Sequence, residues 1–175
     1  MSVPGKSTRP TTDKVKESIF NMIGPYFEGG IGLDLFAGSG ALGIEGISRG
    51  LDKVIFVDID GKAIQTVKEN IKVCGFEQEA EVYKNDWKRA LKALSKRNIS
   101  FDVIWLDPPY KKNVYIDILQ FIDEHKLLLD HGIIVCEHAK EVELPAEVFC
   151  FKKKKFEEYG IISVSIYVKS TRGEG

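Results

Sequence analysis

The chain has 175 residues, of which 43% are hydrophobic and 29% are charged, and its formal net charge is -1. This composition is typical of a globular protein, and the length suits one domain over residues 1–175. The near-zero charge excludes whole-molecule attraction to nucleic acid, so nucleic-acid binding would need a local basic patch. Neither a membrane-spanning run nor a secretory signal is visible, which predicts a cytoplasmic protein.

Helical and strand-like patterns alternate along most of the chain, as in an α/β fold with a mostly parallel sheet. The segment TTDKVKESIFNMI has apolar residues at helical spacing and predicts an opening helix. Five strands are predicted at GIGLDLF, DKVIFVDID, AEVYKND, FDVIWLD and GIIVCEH. Amphipathic segments between them predict the connecting helices, of which the last is VYIDILQFIDEHKLL.

The last part of the chain changes character after the fifth predicted strand. The segments EVFCFKKKKF and EEYGIISVSIYVK are rich in β-forming residues and are separated near Glu157–Gly160, which predicts a hairpin. The run Lys152–Lys155 is either a solvated face or part of a basic patch, and the sequence leaves both interpretations open.

The cysteines and histidines give no metal-binding pattern. Three cysteines lie in apolar patterns without CxxC spacing, and we predict reduced, buried thiols at Cys74, Cys136 and Cys150. The histidines share no ligand spacing on a helix face, which predicts surface or structural roles for His125, His131 and His138. The sequence therefore predicts no metal site.

The turn after the first strand contains Gly38-x-Gly40-x-x-Gly43, which is the spacing of a dinucleotide-binding fingerprint. Such glycines make a tight turn, or they let a ligand approach N–H groups at the start of a helix. Asp58, at the end of the second strand, is placed to bind ribose hydroxyls. Asp34, at the end of the first strand, would repel a pyrophosphate. The same carboxylate suits a ligand with positive charge, such as S-adenosylmethionine.

A second motif, Asp107-Pro108-Pro109-Tyr110, follows the fourth strand. In an open doubly wound sheet the first and fourth strands are neighbours, so the two motifs should meet at the switch point. Two prolines remove two N–H donors and leave the carbonyl of Pro108 free to accept. Asp107 and this carbonyl can accept both hydrogens of an exocyclic amine, while Tyr110 stacks on the base. A rigid turn would explain the prolines, but not the flanking acid and aromatic ring.

Together these stretches resemble a known family. KSTRPTTDKVKESIFN, DLFAGSGALGIEGISRG, VDID and WLDPPY are similar to the bacterial RsmD family, class I S-adenosylmethionine-dependent methyltransferases that act on guanine N2 in small-subunit (16S) ribosomal RNA. The resemblance spans nearly the whole chain, and Lys6–Asn21 makes it specific. It implies a Rossmann-like fold with helices on both faces of a seven-stranded, mostly parallel, doubly wound sheet. The final hairpin would supply the antiparallel strand.

The resemblance also implies roles for individual residues. The methionine part of the cofactor would contact Asp34, Gly38 and Gly40, the ribose Asp58, and the adenine amino group Asp86. Ile59 and Trp87 would flank the adenine or belong to the core, two interpretations that the sequence leaves equal. The flipped guanine would be held by Asp107, Pro108 and Tyr110, with Pro109 and Lys111 beside it. At the mouth of the cleft, Thr12 would contact the cofactor, and Arg9 and Thr11 the RNA.

The chain departs from the family in one respect. Family members carry a short basic β-rich segment ahead of the position of Pro4, where this chain begins. We expect the cofactor and base pockets to be complete and the RNA-docking surface to be the part affected. The resemblance further implies a monomer without metal that acts on ribosomal RNA or on a small-subunit assembly particle.

Three other functions remain open at this stage. An adenine-N6 or cytosine-N4 methyltransferase acting on DNA would share the second motif, but the chain leaves no segment for a target-recognition domain. A nicotinamide-dependent oxidoreductase would use the Gly38–Gly43 turn. A non-catalytic RNA-binding module would not need the Asp107 carboxylate.

Overall fold

The computed structural model describes residues 13–108 and 112–170. The helices are α1 (Asp13–Ile23), α2 (Ala41–Ser48), α3 (Gly61–Cys74), α4 (Trp87–Ser95) and α5 (Lys112–Glu124), with a 3-10 turn at Glu77–Glu79. The strands are β1 (Ile31–Asp34), β2 (Lys53–Asp58), β3 (Ala80–Lys84), β4 (Phe101–Leu106), β5 (Leu128–Ala139), β6 (Glu147–Val148), β7 (Phe151–Tyr159) and β8 (Ile162–Lys169). They form one sheet in the order β3-β2-β1-β4-β5-β8-β7-β6.

The predicted fold class is confirmed. Strands β1 to β5 are parallel to their neighbours, and β8 joins β5 in the antiparallel direction. The strand order reverses between β1 and β4, which creates the switch point that the two motifs require. The described residues contain eight strands instead of the seven expected, because the two-residue β6 pairs with the start of β7 at the sheet edge.

Two apolar layers cover the sheet, one on each face. The α2 face is packed by α1, α2 and α3 and includes Phe20, Phe56 and Trp105, whereas the α5 face is packed by α4 and α5. Trp105 is 1% exposed, and its ring centroid lies 5.9 Å from that of Phe20. Because successive side chains of a strand point to opposite faces of the sheet, alternate residues of each strand contribute to the α2 face and to the α5 face.

The boundary between α5 and β5 differs from the sequence pattern. Apolar residues at helical spacing predict a helix as far as Leu128, but α5 ends at Glu124. Lys126 then adopts a left-handed conformation with φ of 53°, and Leu128 pairs with Phe101 of β4. The pairing with β4 extends β5 to twelve residues, a contact that local periodicity does not reveal.

The three cysteines differ in exposure, and the prediction for Cys74 is wrong. Cys136 is buried and Cys150 is partly buried, but Cys74 is the exposed last residue of α3. Burial raises the pKa of the Cys150 thiol to about 11, and it raises that of Cys136 further. All three thiols are free.

The lysine run on β7 makes structural contacts. The Nζ of Lys153 donates to the carbonyl of Leu144 at 2.8 Å, and the Nζ of Lys155 donates to the carbonyl of Met22, near the end of α1, at 2.7 Å. Lys154 lies at a bulge in the β7–β8 pairing and is exposed. These contacts favour a structural interpretation for two of the four lysines.

Candidate active site

The loop after β1 is a glycine turn held by contacts with β2 and α3. Gly38 and Gly40 have φ values of 59° and 81°, a backbone conformation that side chains with a Cβ rarely adopt. The N–H of Ala37 donates to the carbonyl of Val57 at 2.9 Å, which ties the turn to β2. Asn70 of α3 donates to the carbonyl of Ser39 at 2.9 Å. The turn is therefore fixed before any ligand arrives.

The glycines of the fingerprint serve different purposes. A Cβ on Gly43 would collide with the ring of Phe56, approaching Cζ to 2.8 Å, so this glycine lets α2 pack closely on β2. A Cβ on Gly40 would lie 3.3 Å from Val67 Cγ1. A Cβ on Gly38 would meet nothing within 4 Å. Only Gly38 therefore borders open space that a ligand can occupy.

Asp34 ends β1 as a buried acid. It is 3% exposed, and its Oδ2 accepts a hydrogen bond from the N–H of Gly43 at 3.1 Å. Its pKa is raised to about 8, mainly by burial and further by the charges of Asp58 and Glu137, against the lowering effect of the Gly43 hydrogen bond. A cation beside this carboxylate would favour its charged form and lower the pKa again.

Asp58 ends β2 and supports the glycine turn. Its Oδ2 accepts from the N–H of Gly38 at 2.9 Å, and its Oδ1 accepts from the N–H of Asp60 at 2.9 Å. The side chain of Asp60 in turn caps α3 by accepting from Lys62. The partly exposed Asp58 carboxylate thus lies at the open side of the turn in a fixed orientation.

The two motifs lie on neighbouring strands. Asp34 pairs with Trp105 of β4, and Asp107 comes two residues after Trp105. Because the side-chain period of a strand is two, Asp107 follows on the side of Trp105 and Asp34, the α2 face. Asp107 is partly exposed and Pro108 is buried. The structure thus brings the glycine turn and the start of the second motif to one edge of the sheet.

Three predicted cofactor residues lie around the ends of β2 and β3. Ile59 follows Asp58 and is 63% exposed, so it is free of the core. Asp86 caps α4 by accepting from the N–H of Arg89 at 2.9 Å. Trp87 is partly buried against the apolar layer of the α5 face, which favours its core interpretation. Of the two aromatic or aliphatic candidates, Ile59 is therefore the one that remains available to a ligand.

Six predicted site residues lie outside the described residues. They are Arg9, Thr11, Thr12, Pro109, Tyr110 and Lys111. Their expected roles remain predictions.

Sequence reasoning missed Glu137. This residue lies near the C-terminal end of β5. It directly follows Cys136, which pairs with Leu106 of β4. Glu137 is 1% exposed. The signal was present, because an acid at the end of an apolar strand is the same feature that singled out Asp34, Asp58 and Asp107. The end of β5 belongs to the same sheet edge as theirs.

His138 is a structural residue, as predicted, but a buried one. It is 2% exposed, and its Nε2 lies 2.8 Å from the Oγ of Ser165 on β8. Tyr115 of α5 packs against its ring and donates its hydroxyl to the backbone carbonyl of Glu137 at 2.6 Å. These contacts fix the end of β5 from the α5 face.

The described residues show neither a metal-ligand group nor a membrane span. Over residues 13–108 and 112–170, no three His, Cys, Asp or Glu side chains are grouped as metal ligands would be. In the same part of the chain, every helix is too short or too polar to cross a bilayer.

Comparisons with known proteins agree on one family. Residues 1–168 match the family model described as conserved hypothetical protein 95. YlbH of Bacillus subtilis (strain 168), by its name a candidate rRNA methyltransferase, is 58% identical over 96% of this chain and 91% of its own. Ribosomal RNA small subunit methyltransferase D of Haemophilus influenzae is 36% identical over 91% of this chain and 82% of its own. A conserved hypothetical protein from Streptococcus pyogenes has a solved structure that superposes with a TM-score of 0.84 at 39% identity, covering 89% of this chain and 96% of that one.

Proposed function

Because the chain belongs to the conserved hypothetical protein 95 (RsmD) family, we propose that it transfers a methyl group from S-adenosylmethionine to the exocyclic N2 amine of a guanine in small-subunit ribosomal RNA. The observation that supports the proposal most directly is the parallel pairing of β1 with β4. It brings the glycine turn and the second motif together at the C-terminal ends of these strands. This meeting supports the proposal of a methyl donor site beside an amine acceptor site. The proposed reaction needs both within bonding distance of each other.

The residues at the glycine turn fit S-adenosylmethionine. Asp34 is a buried acid whose ionised form is disfavoured by its surroundings, and the ammonium and sulfonium groups of this ligand would stabilise that form. We assign the open space at Gly38 to its methionine part, and the Asp58 carboxylate beside that turn to its ribose hydroxyls. Ile59 offers an exposed apolar side chain to the adenine. We assign Asp86 to the adenine amino group; its Oδ1 caps α4, and its Oδ2 lies 3.5 Å from the Nε of Arg89. When bound, S-adenosylmethionine supplies an electrophilic methyl group.

The second motif holds the amine. Asp107 accepts one N–H of the guanine amine and the Pro108 carbonyl accepts the other, which directs the nitrogen lone pair out of the base plane. With S-adenosylmethionine bound, the nitrogen would bond to the methyl carbon while the carbon–sulfur bond breaks with its electron pair on sulfur, and the nitrogen would lose one proton. In this proposal Asp107 receives that proton. Tyr110 stacks on the flipped base in this proposal, a contact that contributes about 1 to 3 kcal/mol in comparable sites.

The alternatives fit the site less well. A nicotinamide dinucleotide would place a pyrophosphate near Asp34, and its negative charge would oppose ionisation of this buried acid, whereas a cation would favour it. A DNA methyltransferase would share the amine site, but the similar proteins from Bacillus subtilis and Haemophilus influenzae are named for ribosomal RNA. A binding module without catalysis would give no reason for an acid at position 107.

The proposal includes a substrate form and a location. We assign RNA contacts to Arg9, Thr11, Pro109 and Lys111, and a cofactor contact to Thr12. The substrate would be ribosomal RNA, free or in a small-subunit assembly particle, and the enzyme would act as a single-domain monomer in the cytoplasm, where that RNA is assembled.

Methylation of small-subunit ribosomal RNA by the Asp107→Ala variant tests the proposal. We expect methyl transfer to fall by at least about a hundredfold, because the amine loses an aligned acceptor, while S-adenosylhomocysteine still binds. The matched control is Asp117→Ala, which removes an exposed acid from α5 and should leave the rate unchanged.

Two outcomes would contradict the proposed function. Undiminished methylation by Asp107→Ala would refute the role of the acid. Calorimetric binding of NAD without binding of S-adenosylhomocysteine would instead favour the oxidoreductase.

Mass spectrometry of ribosomal RNA from a strain lacking the gene should show the loss of one methyl group on one guanine.

A further inference from the structure

The end of β5 places a second carboxylate beside Asp107. Leu106 of β4 pairs with Cys136 of β5, and Asp107 and Glu137 are the next residues along these two parallel strands. Neighbouring strands lie about 4.8 Å apart, so the two side chains start at adjacent positions. The pairing brings together two acids that are separated by thirty positions in the sequence.

Both carboxylates belong to the face that holds the proposed cofactor site. Cys136 contributes to the apolar layer of the α5 face and Val135 to that of the α2 face, so Glu137 follows on the α2 face. Its charge also reaches Asp34, where it helps to raise the pKa of that carboxyl. Glu137 is therefore directed toward the site, although its backbone is anchored from the opposite face by Tyr115.

The target bases differ in the atom next to the amine. Guanine has an N1–H beside its N2 amine, and thus presents three donor hydrogens on one edge. Adenine and cytosine have an unprotonated ring nitrogen beside their amine, and thus present two donors and one acceptor. Asp107 and the Pro108 carbonyl can satisfy the amine of any of the three. A third acceptor beside them matches guanine alone.

We infer that Glu137 is a specificity-determining residue, which accepts the N1–H of the target guanine next to the amine held by Asp107. This inference rests on the proposed function and extends it to the choice of base. Adenine or cytosine would turn a ring lone pair toward the Glu137 carboxylate, so both are disfavoured. The burial of Glu137 strengthens this selection of guanine, because two acceptors that face each other in a buried site cost binding free energy.

The experiment compares two target bases in two enzymes. The RNA carries either guanine or 2-aminopurine at the methylated position; 2-aminopurine keeps the amine but lacks the N1 hydrogen and the O6 oxygen, so the change of the ratio in a Glu137 variant isolates the N1 contact. The wild-type protein should methylate guanine about ten to a hundred times faster than 2-aminopurine. In Glu137→Gln, whose amide can also donate to a bare N1, this ratio should fall by about tenfold or more.

Controls separate base selection from a structural role. Glu141→Gln removes an exposed charge a few residues further on, and Tyr115→Phe removes the hydroxyl that holds the Glu137 backbone; both should keep the wild-type ratio. S-adenosylhomocysteine binding checks that each variant is folded. Because the wild-type comparison of the two bases needs no variant, the inference stays testable even if Glu137→Gln does not fold.

The outcomes distinguish this inference from the proposed function. Equal rates on guanine and 2-aminopurine in the wild-type protein, or an unchanged ratio in folded Glu137→Gln, would overturn the role of Glu137 and leave guanine methylation intact. No methylation of either RNA by the wild-type protein would instead overturn the proposed function itself.

Discussion

Carboxylates at the N-terminal and C-terminal ends of the parallel strands lie in opposite electrostatic environments. At the edge where the parallel strands begin, Asp102 accepts from the backbone N–H of Ile31 at 2.8 Å and lies 3.0 Å from His131 Nε2. Near the start of β3, Glu81 accepts from Lys53 and Arg97 at 2.9 and 2.8 Å. At the edge where the strands end, Asp34, Asp58, Asp107 and Glu137 are gathered on one face.

The pKa values record this difference. Hydrogen bonds from Arg97, and also from Tyr83 and Lys53, lower the pKa of Glu81 to about 2. Burial and neighbouring acids raise that of Asp34 to about 8. Acids at the first edge stabilise the sheet, whereas Asp34 keeps an electrostatic cost that a cationic ligand would relieve. Such unfavourable arrangements are typical of functional sites.

The largest expected effect comes from Asp34→Asn. The pKa of Asp34 is higher in the folded protein than its ordinary value of 3.8, so the folded state binds this proton more tightly. Its stabilising contribution is complete below about pH 4 and is lost as the pH rises to about 8. Between pH 5 and pH 8 the wild-type free energy of unfolding should fall by up to about 4 kcal/mol from this group. The free energy of unfolding of the variant, measured with urea, should not show that decline. Parallel pH profiles of the wild-type and variant free energies would contradict this explanation.

A pair of glycine variants should separate packing from ligand space at the same edge. Gly43→Ala drives a methyl group into Phe56 and should cost about 1 to 3 kcal/mol of stability. Gly38→Ala meets open space and should cost about 1 kcal/mol through its positive φ. Calorimetry measures the affinity of each variant for S-adenosylhomocysteine. Relative to its loss of stability, Gly38→Ala should lose more affinity than Gly43→Ala. The reverse ranking would remove Gly38 from the proposed cofactor site.

At the opposite edge, Glu81→Gln should have a pH dependence of the opposite sign. The lowered pKa means that the contribution of Glu81 is present above its ordinary value of 4.5 and is lost as the pH falls toward 2. The substitution should cost about 1 kcal/mol at pH 7, since its cationic partners are partly exposed, and less at pH 3. Chemical denaturation at both pH values measures this. The exposed Glu77→Gln is the matched control, and an equal cost in both variants would count against the pairing.

The smallest effect is expected in the lysine run. Lys155→Ala removes the contact with the carbonyl of Met22 and should cost about 0.5 to 1 kcal/mol of stability. Lys154→Ala alters an exposed bulge residue and should change stability little. If filter binding showed the same loss of RNA affinity in both variants, the run would serve RNA in addition to the fold.

Much of the fold could be predicted because its signals are local. Apolar runs at Val54–Val57 and Val103–Leu106 identify strands buried on both faces, and helical spacing identifies the segments between them. The boundary at Lys126 could not be predicted, because it depends on pairing with the distant strand β4. The short β6 pairs with the adjacent β7, and its two residues are too few to show a strand period. The exposure of Cys74 likewise depends on the direction in which α3 packs.

By itself the sequence determined the element order, the chemistry of the two motifs and their expected meeting, since each depends on residues that are close in the chain and on a general rule of strand order. Only the tertiary structure decided which acids share a face. Glu137 became a partner of Asp107 through the β4–β5 register, and Asp34 acquired its raised pKa through burial. Both are consequences of packing between distant segments, which no local pattern of residues specifies.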